Sequence, residues 1–204
     1  MISICTAVED RLSAAVLERL VEEAGGRLRI DIPIPPTGSG DLIKKLPELL
    51  RLAPNVPVLL LTDLDRKECA PGLIGEWLGH RVKPDGMLFR VAVREVEAWL
   101  LADVENFANF ARIPLAKLPE TPEDLDDPKQ TLLNLVKRYS PSSLKRELVA
   151  DYGHGPRQGL AYNERLSQFV HVCWNLEEAS MRADSLARTR RRIGELADQW
   201  GAPA

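Results

Sequence analysis

The feature that most constrains this chain is the run Val56-Pro57-Val58-Leu59-Leu60-Leu61-Thr62, closed by Asp63-Leu64-Asp65. It is apolar without alternation, so it has no solvated face and suits a strand covered on both sides. It is far too short to span a bilayer. A strand buried on two faces needs helices above and below its sheet. The flanking segments have the pattern to provide them. Ile2–Val8 reads as a strand and 10–23 as a helix ended by Gly25-Gly26. Leu28–Ile34 alternates as a half-buried strand, and Pro33 and Pro35 place it near an edge. Residues 41–52 form an amphipathic helix in which Pro47 predicts a kink or an interrupted start. A helix over 71–80, a strand over 87–93 and a helix over 95–102 complete the order βαβαβαβα. This predicts an α/β fold with a mainly parallel sheet of four or slightly more strands, flanked by helices.

After about residue 104 the strand signals stop. A proline- and acid-rich stretch runs to Asp127-Pro128-Lys129. Helical periodicity then follows over 131–138, 141–151, 163–174 and 176–199, with Gly153–Gly159 as a loop. The expected organisation is an α/β domain over 1–104 and an α-helical region over 105–204 packed on it.

Composition sets limits on function. With 27 Lys+Arg against 30 Asp+Glu, the net charge of -3 excludes a wholly basic nucleic-acid coat. Charge is unevenly placed, however: residues 137–192 carry a net +5 and the remainder -8. Arg188, Arg190, Arg191 and Arg192 crowd the last helix. Cys5, Cys69 and Cys173 form no zinc spacing, and the N-terminus has no signal-peptide pattern. The expected setting is therefore the reducing cytoplasm, with no membrane association.

The chemistry-bearing residues gather at predicted strand ends. Asp63 and Asp65 lie at the carboxyl edge of the third strand, where open α/β sheets bind ligands. Glu9 stands at the same edge of the first strand. If those strands are neighbours, three carboxylates converge. Hard oxygen donors of this kind suit Mg²⁺ or Mn²⁺ rather than zinc, and such an ion can activate water against a phosphate. Glu97, after the fourth strand, is a further candidate member. Arg94 has the fork geometry to hold a phosphate. Lys129, a cation at a helix start where the dipole disfavours it, suggests an anion contact. His154 and Arg157 belong to a glycine-rich loop that suits phosphate as well.

Bland roles compete throughout: Asp10 as a helix cap, Glu95 and Glu97 as helix-dipole partners, the arginine run as a solvated face, and the four tryptophans as core. A haloacid-dehalogenase-type phosphatase would need Thr or Val four residues after Asp63, where Lys67 stands. A metal-dependent glycosyltransferase would require a nucleoside pocket beside Asp63-Leu64-Asp65.

Glu9, Asp63-Leu64-Asp65 and the βαβαβαβ order together resemble a Toprim domain, the catalytic module of topoisomerases, primases and overcoming-lysogenisation-defect nucleases. Most of the chain resembles a family of bacterial proteins known as domain of unknown function 4276. That resemblance runs through Arg94-Glu95-Val96-Glu97-Ala98-Trp99-Leu100-Leu101-Ala102-Asp103, Asp127-Pro128-Lys129, Tyr162 and Phe169. It implies a nuclease with a Mg²⁺ or Mn²⁺ site on Glu9, Asp63 and Asp65, supported by Glu97. Arg94, Lys129 and Arg157 would bind phosphate, DNA or RNA would be the substrate, and an ATPase would be the partner in defence against phage. A homo-oligomer is compatible with it. Asp10 follows Glu9 where glycine is usual in Toprim, which implies an altered turn or a site that no longer cleaves. The alternative is a non-catalytic subunit that keeps the fold and docks an ATPase.

Overall fold

The computed structural model describes residues 1–36, 38–151, 153 and 155–201. Two compact units are present. One comprises Met1–Ala92 with the segment from Arg188 onward, and the other is Val93–Ala187. The sequence reading instead divided the chain at 104 and assigned everything beyond it to the helical half. No helix among the described residues is long and apolar enough to cross a membrane.

The first unit is an α/β layer structure. Its elements are β1 (Ile2–Val8), α1 (Arg11–Glu22), β2 (Leu28–Ile34), α2 (Ser39–Leu52), β3 (Val58–Asp63), α3 (Ala70–Leu78) and β4 (Met87–Ala92). The four strands form one sheet in the order β2-β1-β3-β4, and every pair is parallel. The expected α/β class and four-stranded parallel sheet are thus present. Val58–Leu61 are all fully buried, as a strand without a solvated face requires. β2 is an edge strand, mostly exposed, and tolerates Pro33 because half its ladder is empty. β1 slips by one residue against β2 between Ile4 and Cys5, which leaves Asp31 outside the register.

The helices bury apolar stripes: Leu12, Val16, Leu17 and Leu20 on α1, and Leu42, Leu46 and Leu49 on α2. α2 runs continuously through Pro47, so the helix start is not interrupted there. Pro47 is itself only half-buried, and the stripe on either side of it stays in phase. Trp77 of α3 packs on Phe89 of β4, with ring centroids 5.4 Å apart.

The second unit is mainly helical. It holds α4 (Val96–Ala102), α5 (Val104–Ala111), two 3-10 turns, α6 (Pro128–Tyr139), α7 (Ser142–Leu148), β5 (Val149–Asp151), β6 (Pro156–Gln158), α8 (Tyr162–Val172) and α9 (Leu176–Ser180). α10 (Asp184–Gly201) starts here and continues into the first unit. Its core contains Trp99, Phe107, Tyr162 and Phe169, with Phe107 and Phe169 edge to face at 5.4 Å.

Two features correct the sequence reading. β5 and β6 form a short antiparallel hairpin where only helix and loop were expected. Three-residue strands are too short to show an alternation. The helix expected over 176–199 is two helices, broken at 181–183. The break places Ser185 so that its N–H and hydroxyl both donate to the Glu123 carboxylate, at 3.1 and 2.5 Å. The same hydroxyl accepts from the Trp99 indole N–H at 2.8 Å. A satisfied buried polar network outweighs continuity of the helical pattern here.

Candidate active site

In the first unit the chain leaves β1 toward β2 on one side and leaves β3 toward β4 on the other. The loops at the carboxyl ends of these two adjacent strands therefore diverge. A parallel sheet opens a crevice at such a switch point. Val8 pairs with Leu61, so Glu9 stands level with Thr62, and Asp63 follows one residue beyond.

Glu9 Oε1 accepts from the Thr62 hydroxyl and from the Asp63 backbone N–H, the latter at 3.3 Å. Burial pushes the Glu9 carboxyl above its ordinary range. The two hydrogen bonds oppose that shift, and the neighbouring Asp65 and Asp10 charges add to it. Asp63 is half-buried. Asp65 is exposed and takes a left-handed backbone, φ 51°, a conformation Asp tolerates better than most residues. It turns the chain away from the sheet directly after the buried Leu64. Asp10 accepts from the Ser13 N–H at 2.8 Å and caps α1. Asp10, which follows Glu9, thus has a structural task. The Gly38 N–H donates to the Glu9 carbonyl at 2.9 Å and ties the loop before α2 to this edge.

The donor chemistry fits Mg²⁺ or Mn²⁺: hard carboxylate oxygens, without thiolate or imidazole. Among the described residues, however, no three His, Cys, Asp or Glu side chains stand in an arrangement that could hold a metal ion. The Glu9 carboxylate is taken up by Thr62 and Asp63 instead.

The second unit assembles a separate cluster. Asp127 caps α6 by accepting from the Gln130 N–H at 2.7 Å, and Pro128, which has no N–H to satisfy, takes the first helical position. The next N–H, of Lys129, donates to Glu95 Oε2 at 2.8 Å. Glu97 is 2% exposed; its Oε1 accepts from the Tyr162 hydroxyl at 2.8 Å and lies 3.7 Å from Lys129 Nζ. That ammonium also sits 5.3 Å from the centre of the Tyr162 ring. The anion anticipated for Lys129 is therefore present within its own unit, as Glu97. Burial, and then the adjacent Glu97 charge, push the Glu95 carboxyl from 4.5 to about 7.

The remaining candidates are placed as follows. Arg94 is half-buried at the start of the second unit, after a cis peptide bond from Val93. Arg157 is exposed on β6. His154 lies outside the described residues. Trp77, Trp99 and Trp174 are buried, as core tryptophans would be. A cavity of about 320 Å³ in the second unit is lined by Asp103, Asn106, Asn175, Glu178 and Arg182 among others, and by no part of Asp63-Leu64-Asp65.

Sequence reasoning missed Thr62. It is the one polar residue in an apolar run, and a buried hydroxyl needs a partner, so the signal was there. It also missed the Glu95–Lys129 backbone contact, which nothing local announces. Compared with protein-family models, curated proteins and solved structures, the chain matches none.

Proposed function

We propose that this chain is a Toprim-like nuclease that hydrolyses the phosphodiester backbone of nucleic acid with Mg²⁺ or Mn²⁺, using Glu9, Asp63 and Asp65. The observation that carries this reading is the strand order. The switch point between β1 and β3 sets three carboxylates at the one sheet edge where a parallel α/β fold opens to ligands. An ion held by these carboxylates would neutralise phosphate charge and supply an activated water. Thr62 and the Asp63 amide fix the orientation of the Glu9 carboxylate. Asp65, on its left-handed turn, is the exposed member and meets an incoming group first. The remaining elements of the reading are a cytoplasmic setting and an ATPase partner in defence against phage.

A second reading is a non-catalytic subunit of an ATPase complex. It is favoured by the absence, among the described residues, of a trio already arranged for a metal. One experiment separates the two. Plasmid, single-stranded DNA and RNA are incubated with the purified protein and Mn²⁺ or Mg²⁺, beside the Asp63→Ala/Asp65→Ala variant. Metal-dependent cutting that disappears in the variant is the expected result. No cutting, with no heat of metal binding by calorimetry, would remove the nuclease reading and favour the second.

A further inference from the structure

We propose that the cavity of about 320 Å³ in the second unit is a binding site for a basic α-amino acid, of the arginine or lysine kind. The proposal is independent of the nuclease reading, because Glu9, Asp63 and Asp65 do not line this cavity.

The cavity lies where two helix starts are tied together. Asp103, Glu105 and Asn106 come from the cap and first turn of α5, and Asn175, Glu178 and Arg182 from α9 and its two flanks. Asp103 joins the two groups. Its carboxylate is 1% exposed. It accepts from the Asn106 side-chain amide at 3.0 Å on each oxygen and from the Asn175 backbone N–H at 2.7 Å. One wall is therefore a held carboxylate with amide donors and, among the described residues, no ion pair.

The other charges face open space. Glu105, Glu178 and Arg182 are exposed, and among the described residues their side chains make no hydrogen bond or ion pair. Opposite charges around so small a space ordinarily meet, yet Arg182 pairs with neither glutamate. Asn106 Oδ1 and Asn175 Nδ2, an acceptor and a donor, make no hydrogen bond among the described residues either.

These observations narrow the occupant. The volume is at the lower end of the roughly 300–1,000 Å³ range of small-molecule sites, too small for a polymer. Three carboxylates against one guanidinium disfavour a simple anion such as phosphate. The carboxylates do not stand in an arrangement that holds a metal ion, so the cation is organic. A plain diamine would answer Glu105 and Glu178 but set like charge against Arg182. An amino acid with an uncharged side chain would leave one glutamate unanswered. A basic α-amino acid answers all three. Its carboxylate accepts from the Arg182 fork, and its α-ammonium and side-chain cation donate to the two glutamates. The Asn106 and Asn175 amides supply one further acceptor and one further donor to the same head group.

The test is isothermal titration calorimetry on the full chain with L-arginine, L-lysine, agmatine and L-norleucine. Agmatine is arginine without its carboxylate, and norleucine is lysine without its side-chain ammonium. Arginine and lysine are expected to saturate one site. Agmatine and norleucine should bind roughly 10- to 100-fold more weakly, each having lost one charge-assisted contact. Arg182→Gln should weaken arginine by the same factor and make arginine and agmatine bind alike, because the partner of the carboxylate is gone. Glu105→Gln/Glu178→Gln should remove the preference for lysine over norleucine. Asp63→Ala/Asp65→Ala should bind arginine as wild type does. Circular dichroism confirms that each variant is folded. Should one unfold, the comparison of arginine with agmatine on wild type decides without it. Absence of saturable heat from both amino acids at about 20 mM would overturn the proposal. So would agmatine binding wild type as tightly as arginine, the mark of a polyamine site, or arginine binding unchanged in Arg182→Gln.

Discussion

Glu97 holds a carboxylate at 2% exposure between the Tyr162 hydroxyl and the Lys129 ammonium. Glu97→Ala leaves the buried Tyr162 hydroxyl without its acceptor and removes the ion pair with the partly exposed Lys129, so it should cost about 1–3 kcal/mol in urea unfolding. Tyr162→Phe removes one hydrogen bond and should cost roughly 1 kcal/mol. A double variant less destabilised than the sum would show that the two act on one contact. Glu95 makes a prediction in pH. Its folded pKa is raised from 4.5 to about 7, so the folded chain keeps a proton that the unfolded chain has released. Glu95 therefore contributes its full stability below about pH 4.5, and that contribution is lost as pH rises through about 7. Urea midpoints of wild type should fall across this window relative to those of Glu95→Gln, in which the group no longer titrates. Parallel curves would refute the burial of charge described here.

At the scale of elements, the entrance to β4 is the tightest passage. A Cβ built on Gly86 would lie 2.0 Å from the Ala53 carbonyl oxygen and 2.8 Å from the Trp200 ring. The backbone oxygen cannot rotate away, so Gly86→Ala should cost about 3 kcal/mol, measured by thermal or urea unfolding. The strands and helices of the first unit were legible in sequence because each has a period of its own length: a bare apolar run for β3, alternation for β2, amphipathic stripes for α1 and α2. β5 and β6 were not, being three residues each. The break between α9 and α10 was hidden as well, since it is set by Glu123, some sixty residues earlier in the chain. The places of Glu9, Asp63 and Asp65 after their strands were legible, but whether β1 lies beside β3 was not, because pattern alone leaves strand order open. The helix-start position of Lys129 signalled an anion contact, but nothing local named its partner, Glu97 on a separate helix.

For the whole molecule, α10 has an architectural role beyond its arginines. Within the first unit it carries Ile193, Leu196 and Ala197, all buried, and it anchors Arg90 through Thr189. Its ion pairs Arg190–Glu23 and Arg27–Asp198 are partly exposed and contribute little each. The apolar burial is the larger effect. A chain ended at Ala187 should therefore lose hydrogen-exchange protection in β1, β3 and β4, while α4, α6 and α8 stay protected. Uniform protection in both units would show that the sheet holds without the helix.

The division of α10 between the units also bears on the order in which a ribosome completes them. The second unit, 93–187, is one unbroken stretch, and every residue it needs has been made once Ala187 is added. The sheet unit begins first but must wait for the residues from Arg188 onward before its last helix can close over it. Synthesis thus finishes the later-encoded half before the earlier one, and the nascent sheet spends that interval with the surface meant for Ile193 and Leu196 uncovered.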